Sequence, residues 1–430
     1  MRELNPSVDD DPYFLLSLGL ALAMGTFEEA GASELERAAQ ALQESDPGAA
    51  AQATITRGEF VWQRGDQDGA FAYFDRARAL AENAPLSPQK LYVVAQVSRF
   101  LALAGRYEEA HEQVEQAIAM AEELGDDELL GDSLNNRAMV YASLGDPRWE
   151  EDSTRSIEIA LRTNSFRATR GYINYGSHLV DTAADLARAE AATREGLALG
   201  RKLGLGSTAM RWILTNLAEM IYLAGSWEEA LELAEQEIAS GPHYVRQVAY
   251  GVRAGIRLSR GDDRGAEEDA EIALREARAI RDPQALDPSL VTAAAVASRA
   301  GDTTRANALL DELGATKRAA GSWVVPAAWL CHDLSRPRPW SGRGDAIRTP
   351  WTEAGDLIAQ GDLARAADIL EPTGARTFVA AVRLRAAQKA AVEGRSREAS
   401  EQLALVMAFY REVGASALIH EAEALLQAAS

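Results

Sequence analysis

The chain has 430 residues, 47% of them hydrophobic and 25% charged, an ordinary globular composition that allows a sizeable core and either roughly two to four domains or one long repeat array. Lys and Arg number 44 against 65 Asp and Glu, for a formal net charge of -21; this argues against sequence-independent nucleic-acid binding and against docking on an anionic membrane, which both need clustered positive charge. The one cysteine, Cys331, excludes an internal disulfide and any thiolate metal cluster within one chain.

Residues 1–12 form an acidic N-terminal segment containing Asp9, Asp10 and Asp11. The apolar run Tyr13 to Met24 follows. It is too short to span a bilayer, and its acidic flank has the wrong sign for a secretory signal. It reads as a buried helix, and the protein as cytoplasmic. Lysine occurs only at Lys90, Lys202, Lys317 and Lys389, and alanine is abundant throughout, a bias that fits a G+C-rich bacterial genome.

A turn of the form Gly-x-x-x-x-Ala then recurs. It runs from Gly65 to Ala70, Gly105 to Ala110, Gly225 to Ala230, Gly261 to Ala266, Gly301 to Ala306, Gly361 to Ala366 and Gly394 to Ala399. Degenerate copies begin at Gly145, with Glu150 in the Ala place, and at Ala184. The first seven anchors lie close to 40 residues apart, which marks a repeat array. Seven residues before the anchors stand Gly58, Ser98, Ala138, Ser177, Ala218, Ala254, Ala294, Ala354 and Ala387, all small. With the Ala five residues after each anchor they form matching small positions where two antiparallel helices cross closely. The residue two after the anchor is often large (Tyr107, Leu186, Trp227, Leu363) and is expected to wedge between the helices. Apolar residues recur at helical spacing between anchors, and Pro47, Pro85, Pro88, Pro242, Pro283 and Pro288 are expected between helices. No alternation supports a sheet. The fold expected is all-α, a right-handed solenoid of antiparallel helical hairpins. From Gly301 to Gly361 the spacing jumps, and residues Asp333 to Pro350 carry three prolines and four arginines. This divides the chain into a main array over 13–330, a Pro- and Arg-rich loop over 331–350 and a C-terminal unit over 351–430.

The GRYEEA and GSWEEA turns, with a small residue seven back, resemble the tetratricopeptide repeat, and the period near 40 is similar to its longer MalT-like variety. The segments from Ser133 to Asp146, Leu214 to Ala234, Gly361 to Leu370 and Ala408 to Leu426 resemble the C-terminal repeat region of large bacterial signalling ATPases. Those proteins place a nucleotide cyclase or a transcription-regulator module, then an NTPase, before the array. This sequence has no Gly-x-x-x-x-Gly-Lys-Ser/Thr phosphate loop and no basic recognition helix, so the resemblance implies an excised domain or a stand-alone array.

In such hairpins the first helix lines the concave face. Counting back 13, 10 and 6 residues from the middle anchors selects Tyr92, Arg99, Asn135, Asn174, His178, Trp212, Thr215 and Glu219 as candidate binding residues, with Asp132, Met139 and Val248 beside them. A ligand or peptide groove and ordinary packing between repeats both account for this pattern. Asn136 and Asn216, nine before their anchors, read as structural, satisfying backbone groups between hairpins. The five histidines show no metal-ligand spacing. The acidic cluster from Asp262 to Asp269 reads as a solvated turn, and Arg343-Gly344-Asp345 carries meaning only in a secreted protein. No catalytic, cofactor or metal constellation is present in the sequence. The function expected is a non-enzymatic protein- or peptide-binding scaffold, the regulatory or sensor part of a bacterial signal-transduction system. The alternative is a small-molecule sensor using the same groove. Expected partners are a protein or peptide, a small ligand or a second copy in a homodimer, but neither nucleic acid nor membrane. The acidic net charge favours a basic or neutral partner.

Overall fold

A computed structural model describes residues 11–25, 29–205, 207–280, 282–315, 321–340 and 347–429. Of these residues 83% are helical, and none is in a strand. The N-terminal acidic segment, apart from Asp11 and Pro12, and Arg343-Gly344-Asp345 lie outside the described residues. Helices follow one another as pairs: α1 (Pro12–Gly25) and α2 (Glu29–Leu42), α3 (Pro47–Gln63) and α4 (Gln67–Glu82), α5 (Pro88–Leu103) and α6 (Tyr107–Leu124), α7 (Asp127–Leu144) and α8 (Trp149–Arg162). The pairs continue with α9 (Arg167–His178) and α10 (Leu186–Leu203), α11 (Ser207–Ala224) and α12 (Trp227–Ala239), α13 (Arg246–Arg260) and α14 (Asp263–Ile280), α15 (Pro283–Arg299) and α16 (Thr303–Ala315). Then come α17 (Val324–Asp333), α18 (Pro350–Gln360), α19 (Leu363–Leu370), α20 (Arg376–Val392), α21 (Ser396–Glu412) and α22 (Ser416–Ala429). First helices of successive pairs pack side by side, α3 on α5, α5 on α7 and α13 on α15, so the hairpins stack into a repeat array.

The turns are built as their residues require. Every Gly anchor has a left-handed φ, from 71° at Gly145 to 99° at Gly225. There the next residue's N–H reaches back to the carbonyl four before the anchor, as from Asp146 to Tyr141 at 2.9 Å, which satisfies an orphan carbonyl of the first helix. Asp46, Asp66 and Asp126 cap following helices by accepting a backbone N–H. The eight Ala residues five after the anchors, including Ala70, Ala110, Ala230 and Ala366, have no exposed surface. Leu186, Trp227 and Leu363 are buried as wedges, whereas Tyr107 is half-buried. A Cβ added at Gly58 would come within 2.6 Å of the Phe74 ring, so only glycine admits this crossing.

Three local expectations are corrected. First, Leu179–Ala183 forms one π-helical turn before Ala184, and Asp185 N–H bonds the carbonyl of Leu179, one residue further back than at the other anchors. The extra residue moves the helix crossing from Ser177 to Gly176, where a Cβ would meet Thr193 Oγ1 at 2.5 Å. Second, Pro288 lies inside α15, although Pro47, Pro88 and Pro283 do begin helices. Third, the register break conceals a further turn. Ser335, with φ 51°, ends α17 as a glycine anchor would, and Arg336 N–H bonds the Cys331 carbonyl at 2.9 Å. Residues 336–340, which follow it, are not helical, and Trp340 is buried edge-on against Trp323.

The contacts group the chain into two compact units. Unit 1 comprises Met1–Tyr175 and Ala198–Met210; unit 2 comprises Gly176–Leu197 and Arg211–Ser430. The core of unit 1 centres on Trp62, Phe74 and Phe100, with the last two rings stacked at 4.5 Å, a pair that contributes about 1 kcal/mol beyond its burial. Unit 2 contains a long-range return. The C-terminal helices bond residues far back in the same unit: Trp351 Nε1 donates to Val180 O (2.7 Å), Trp227 Nε1 to Thr377 Oγ1 (2.9 Å), and Ser416 Oγ to Arg260 O (2.7 Å). The segment 351–429 therefore packs within the same unit as 211–333.

Candidate functional site

Four of the eight candidate residues converge on the first helices of unit 1. Tyr92 and Arg99 come from α5, Asn135 from α7 and Asn174 from α9, whose Nδ2 donates to the Asn135 side-chain oxygen at 3.0 Å, an oxygen that also accepts from Arg170 Nε at 2.9 Å. Between them lies a charged cluster that sequence counting caught only at Arg99 and Asp132. Asp132 is 3% exposed and receives Arg167 Nη1 at 3.1 Å and Arg170 Nη1 at 3.3 Å. Gln96 Nε2 donates to the same carboxylate at 3.4 Å, and Arg99 Nη1 donates to Gln96 Oε1 at 3.2 Å. Arg170 also donates to the side-chain oxygen of Asn136, and Arg167 to Glu128 at 3.0 Å. On α3, Glu59 holds Oε1 4.0 Å from Arg99 Nη1, outside hydrogen-bonding range.

The electrostatics follow from burial and neighbours. Burial acts to raise the Asp132 carboxyl, but Arg170, Arg167, Arg99 and the Gln96 amide outweigh it and hold the group below its usual range. Glu59 goes the other way. Burial raises it, and Arg99 and Arg170 pull it back only in part. Arg170 is lowered to about 10 by burial first, against Asp132, with Arg99 and Arg167 adding repulsion. Burial also raises the Tyr92 hydroxyl, which bonds Thr56. The wall is thus a buried ionic network with guanidinium in excess over firmly ionised carboxylate.

The other four candidates belong to unit 2 and do not form one cluster. His178 ends α9, and burial lowers it to about 4, so its imidazole is neutral. Trp212 packs its ring against Tyr244 at 5.4 Å. Thr215 is 1% exposed and turns its hydroxyl back to the Arg211 carbonyl at 2.7 Å, which takes it out of the wall as a donor. Burial, with help from Asp181, raises Glu219 to about 7. Asn136 plays its expected structural part, donating to the Ala95 carbonyl of the neighbouring hairpin at 2.8 Å, and Asn216 Nδ2 reaches Ser177 Oγ at 3.3 Å.

Glu59, Gln96, Arg167 and Arg170 were missed for identifiable reasons. Glu59 lies six before Gly65, so the same count extended by one repeat finds it. Gln96 stands nine before Gly105, the place taken by Asn136 and Asn216 in other repeats. Arg170 occupies the place counted as Gly171 once the π turn's extra residue is allowed for. Arg167 belongs to the first turn of α9, beyond the counted positions. A cleft of about 460 Å³ between α4, α5 and α6, lined by Arg78, Glu82, Lys90 and Glu109, carries mixed charge on the second-helix side and no such network. Among the described residues no three His, Cys, Asp or Glu side chains gather as a metal-ligand set, and no helix is long and apolar enough to cross a membrane.

No protein-family model matches the sequence, and no curated protein is significantly similar to it. Solved structures are. They include a Rap protein complexed with Competence and Sporulation Factor, at 13% identity over 85% of this chain and 99% of that one, with a TM-score of 0.56. A signal transduction ATPase with numerous domains and a tetratricopeptide repeat sensor, from Pyrococcus horikoshii, is 14% identical over 71% of this chain, with a TM-score of 0.47. This chain spans 47% of that ATPase. The apo form of the quorum sensor NprR from B. thuringiensis is 13% identical over 94% of this chain and 99% of that one, with a TM-score of 0.40. At these identities the likeness is one of fold, and with the anchors and crossings above it makes the chain an all-α array of tetratricopeptide-like hairpins.

Proposed function

We infer that the chain is a non-enzymatic binding scaffold, the regulatory or sensor part of a bacterial cytoplasmic signalling system, and that the first-helix wall of unit 1 receives a protein or peptide segment. The observation that carries this reading is the network of Glu59, Arg99, Asp132, Arg167 and Arg170. Burying charges is costly, and packing alone is served as well by apolar residues of similar volume. Here the charged side chains stand on the helix faces that stacked hairpins present to a ligand, and three arginines keep 22–28% of their side chains exposed. The Rap structure, which shares the fold, is itself a complex with a second factor, in keeping with this use of the array.

The test is site-specific photocrosslinking in a lysate of the native host. A photoreactive residue replaces Tyr92 on α5 in one variant and Glu112 on α6 in another. Adducts of one defined mass at position 92 and none at 112 are expected. Adducts at 112 alone would move the site to the second-helix side and end the reading.

A further inference from the structure

The first helices of this protein have a consistent way of burying an arginine. Arg137 forks onto Asp152 at 2.6 and 2.9 Å, Arg253 onto Asp269 at 2.8 and 2.7 Å, and Arg211 grips Glu237 at 2.9 Å. Each guanidinium thus has a close carboxylate, the geometry that suits its planar donor fork, and Asp269 accepts from Arg257 Nη1 as well, at 2.9 Å. The unit 1 wall departs from this pattern at Arg99. Arg167 and Arg170 share Asp132, as Arg253 and Arg257 share Asp269, and Arg167 also holds Glu128 at 3.0 Å, whereas Arg99 has no carboxylate within hydrogen-bonding distance, its nearest being Glu59 at 4.0 Å. Three guanidiniums therefore have two closely bound carboxylates between them, Asp132 and Glu128, and neither is within hydrogen-bonding distance of Arg99.

A second observation stands on the acceptor side. Glu59 Oε1 is buried and receives no hydrogen bond. A buried oxygen without a donor is costly, more so when charged, so Arg99 lacks a hydrogen-bonded carboxylate and Glu59 lacks a donor. One kind of group supplies both, a peptide carboxylate with a backbone N–H a few ångströms away. A dianionic phosphate fits less well, since its second charge would face Asp132 and Glu59.

We propose that the wall recognises an acidic side chain of a bound peptide, its carboxylate seated on Arg99 and Arg170 and a neighbouring backbone N–H donated to Glu59. This rests on the peptide-binding reading above and adds the chemistry of the recognised residue. It runs against the preference that a net charge of -21 suggests, because a short-range pair with buried guanidiniums outweighs a field screened beyond about 10 Å in ordinary salt.

The probe is a random octapeptide library, acetylated at the N-terminus and amidated at the C-terminus, selected on the full chain and then sequenced. Enrichment of Asp or Glu at one position is expected. The best peptide should bind at least tenfold more tightly than its Asn or Gln counterpart. In Arg99→Gln that preference should fall below threefold, while the neutral counterpart keeps its affinity, a result that unfolding does not produce. Arg106→Gln, at an exposed pair with Glu109, should retain the full preference. Enrichment of Lys or Arg, an unchanged preference in Arg99→Gln, or binding only by a matched library with free C-termini would overturn the proposal and leave peptide binding standing. A library without any enriched sequence would overturn both.

Discussion

Glu219→Gln offers a quantitative test of how this array buries charge. Burial, with Asp181 adding repulsion, raises the Glu219 carboxyl from its usual 4.5 to about 7. Between those values the folded chain holds a proton that the unfolded chain has released. Stability therefore falls as pH rises through this window, with the full loss reached above pH 7 and none present below about 4.5. A tenfold change in proton affinity is worth about 1.4 kcal/mol, so the loss amounts to about 3 kcal/mol. Glutamine keeps the shape and cannot ionise. Glu219→Gln should thus match the wild type near pH 4.5 and exceed it by about 3 kcal/mol at pH 8. The assay is amide hydrogen exchange of α11 in unit 2, measured at several pH values, supported by urea unfolding. A difference that does not vary with pH would show that folding leaves the Glu219 proton affinity unchanged, and a variant less stable at pH 8 would show that ionised Glu219 is paired in the fold; either result refutes the reasoning. Asp181→Asn should reproduce part of the effect, in proportion to its repulsion.

Four further outcomes are expected. Ala230→Leu adds three carbons at a crossing with no exposed surface and should destabilise by about 1–3 kcal/mol; an unchanged melting temperature would contradict the hairpin register. Ala184→Gly removes a Cβ from a left-handed residue with φ 53° and should stabilise by about 1 kcal/mol in urea unfolding, whereas a loss would mean that the methyl's packing dominates. Asp132→Asn strips Arg167 and Arg170 of their shared carboxylate and should cost about 3 kcal/mol at neutral pH. Because that carboxyl is held low, its stabilisation is present above the usual carboxylate range and lost as pH falls through its folded value, so wild type and variant should converge in acid. Trp351→Phe leaves the Val180 carbonyl without its indole donor and should speed hydrogen exchange in the π turn and α18; equal rates would separate the C-terminal return from the array.

The repeat was legible in the sequence because its causes are local. A glycine that takes φ 71–99°, a small residue seven before it and an Ala five after it act within one hairpin, so their spacing records each turn and crossing directly. The same logic failed where local chemistry is degenerate. Ser335 takes the glycine conformation without being glycine, and the π turn before Ala184 adds a residue that composition does not announce. For the site, counting from anchors picked out Tyr92, Arg99, Asp132, Asn135 and Asn174 on neighbouring first helices, since a helix face is fixed by the 3.6-residue period. What only the tertiary structure decided is which charges meet. Glu59, Asp132 and Arg170 come from three different hairpins, and their pairing depends on how first helices pack, not on any one helix. The C-terminal return is the extreme case: Trp351 and Val180 stand 171 residues apart, and the hydrogen bond that joins them depends on the summed geometry of every turn between. Short-range sterics leave a periodic mark on the sequence, whereas a contact across many repeats is the accumulated result of all of them and leaves none.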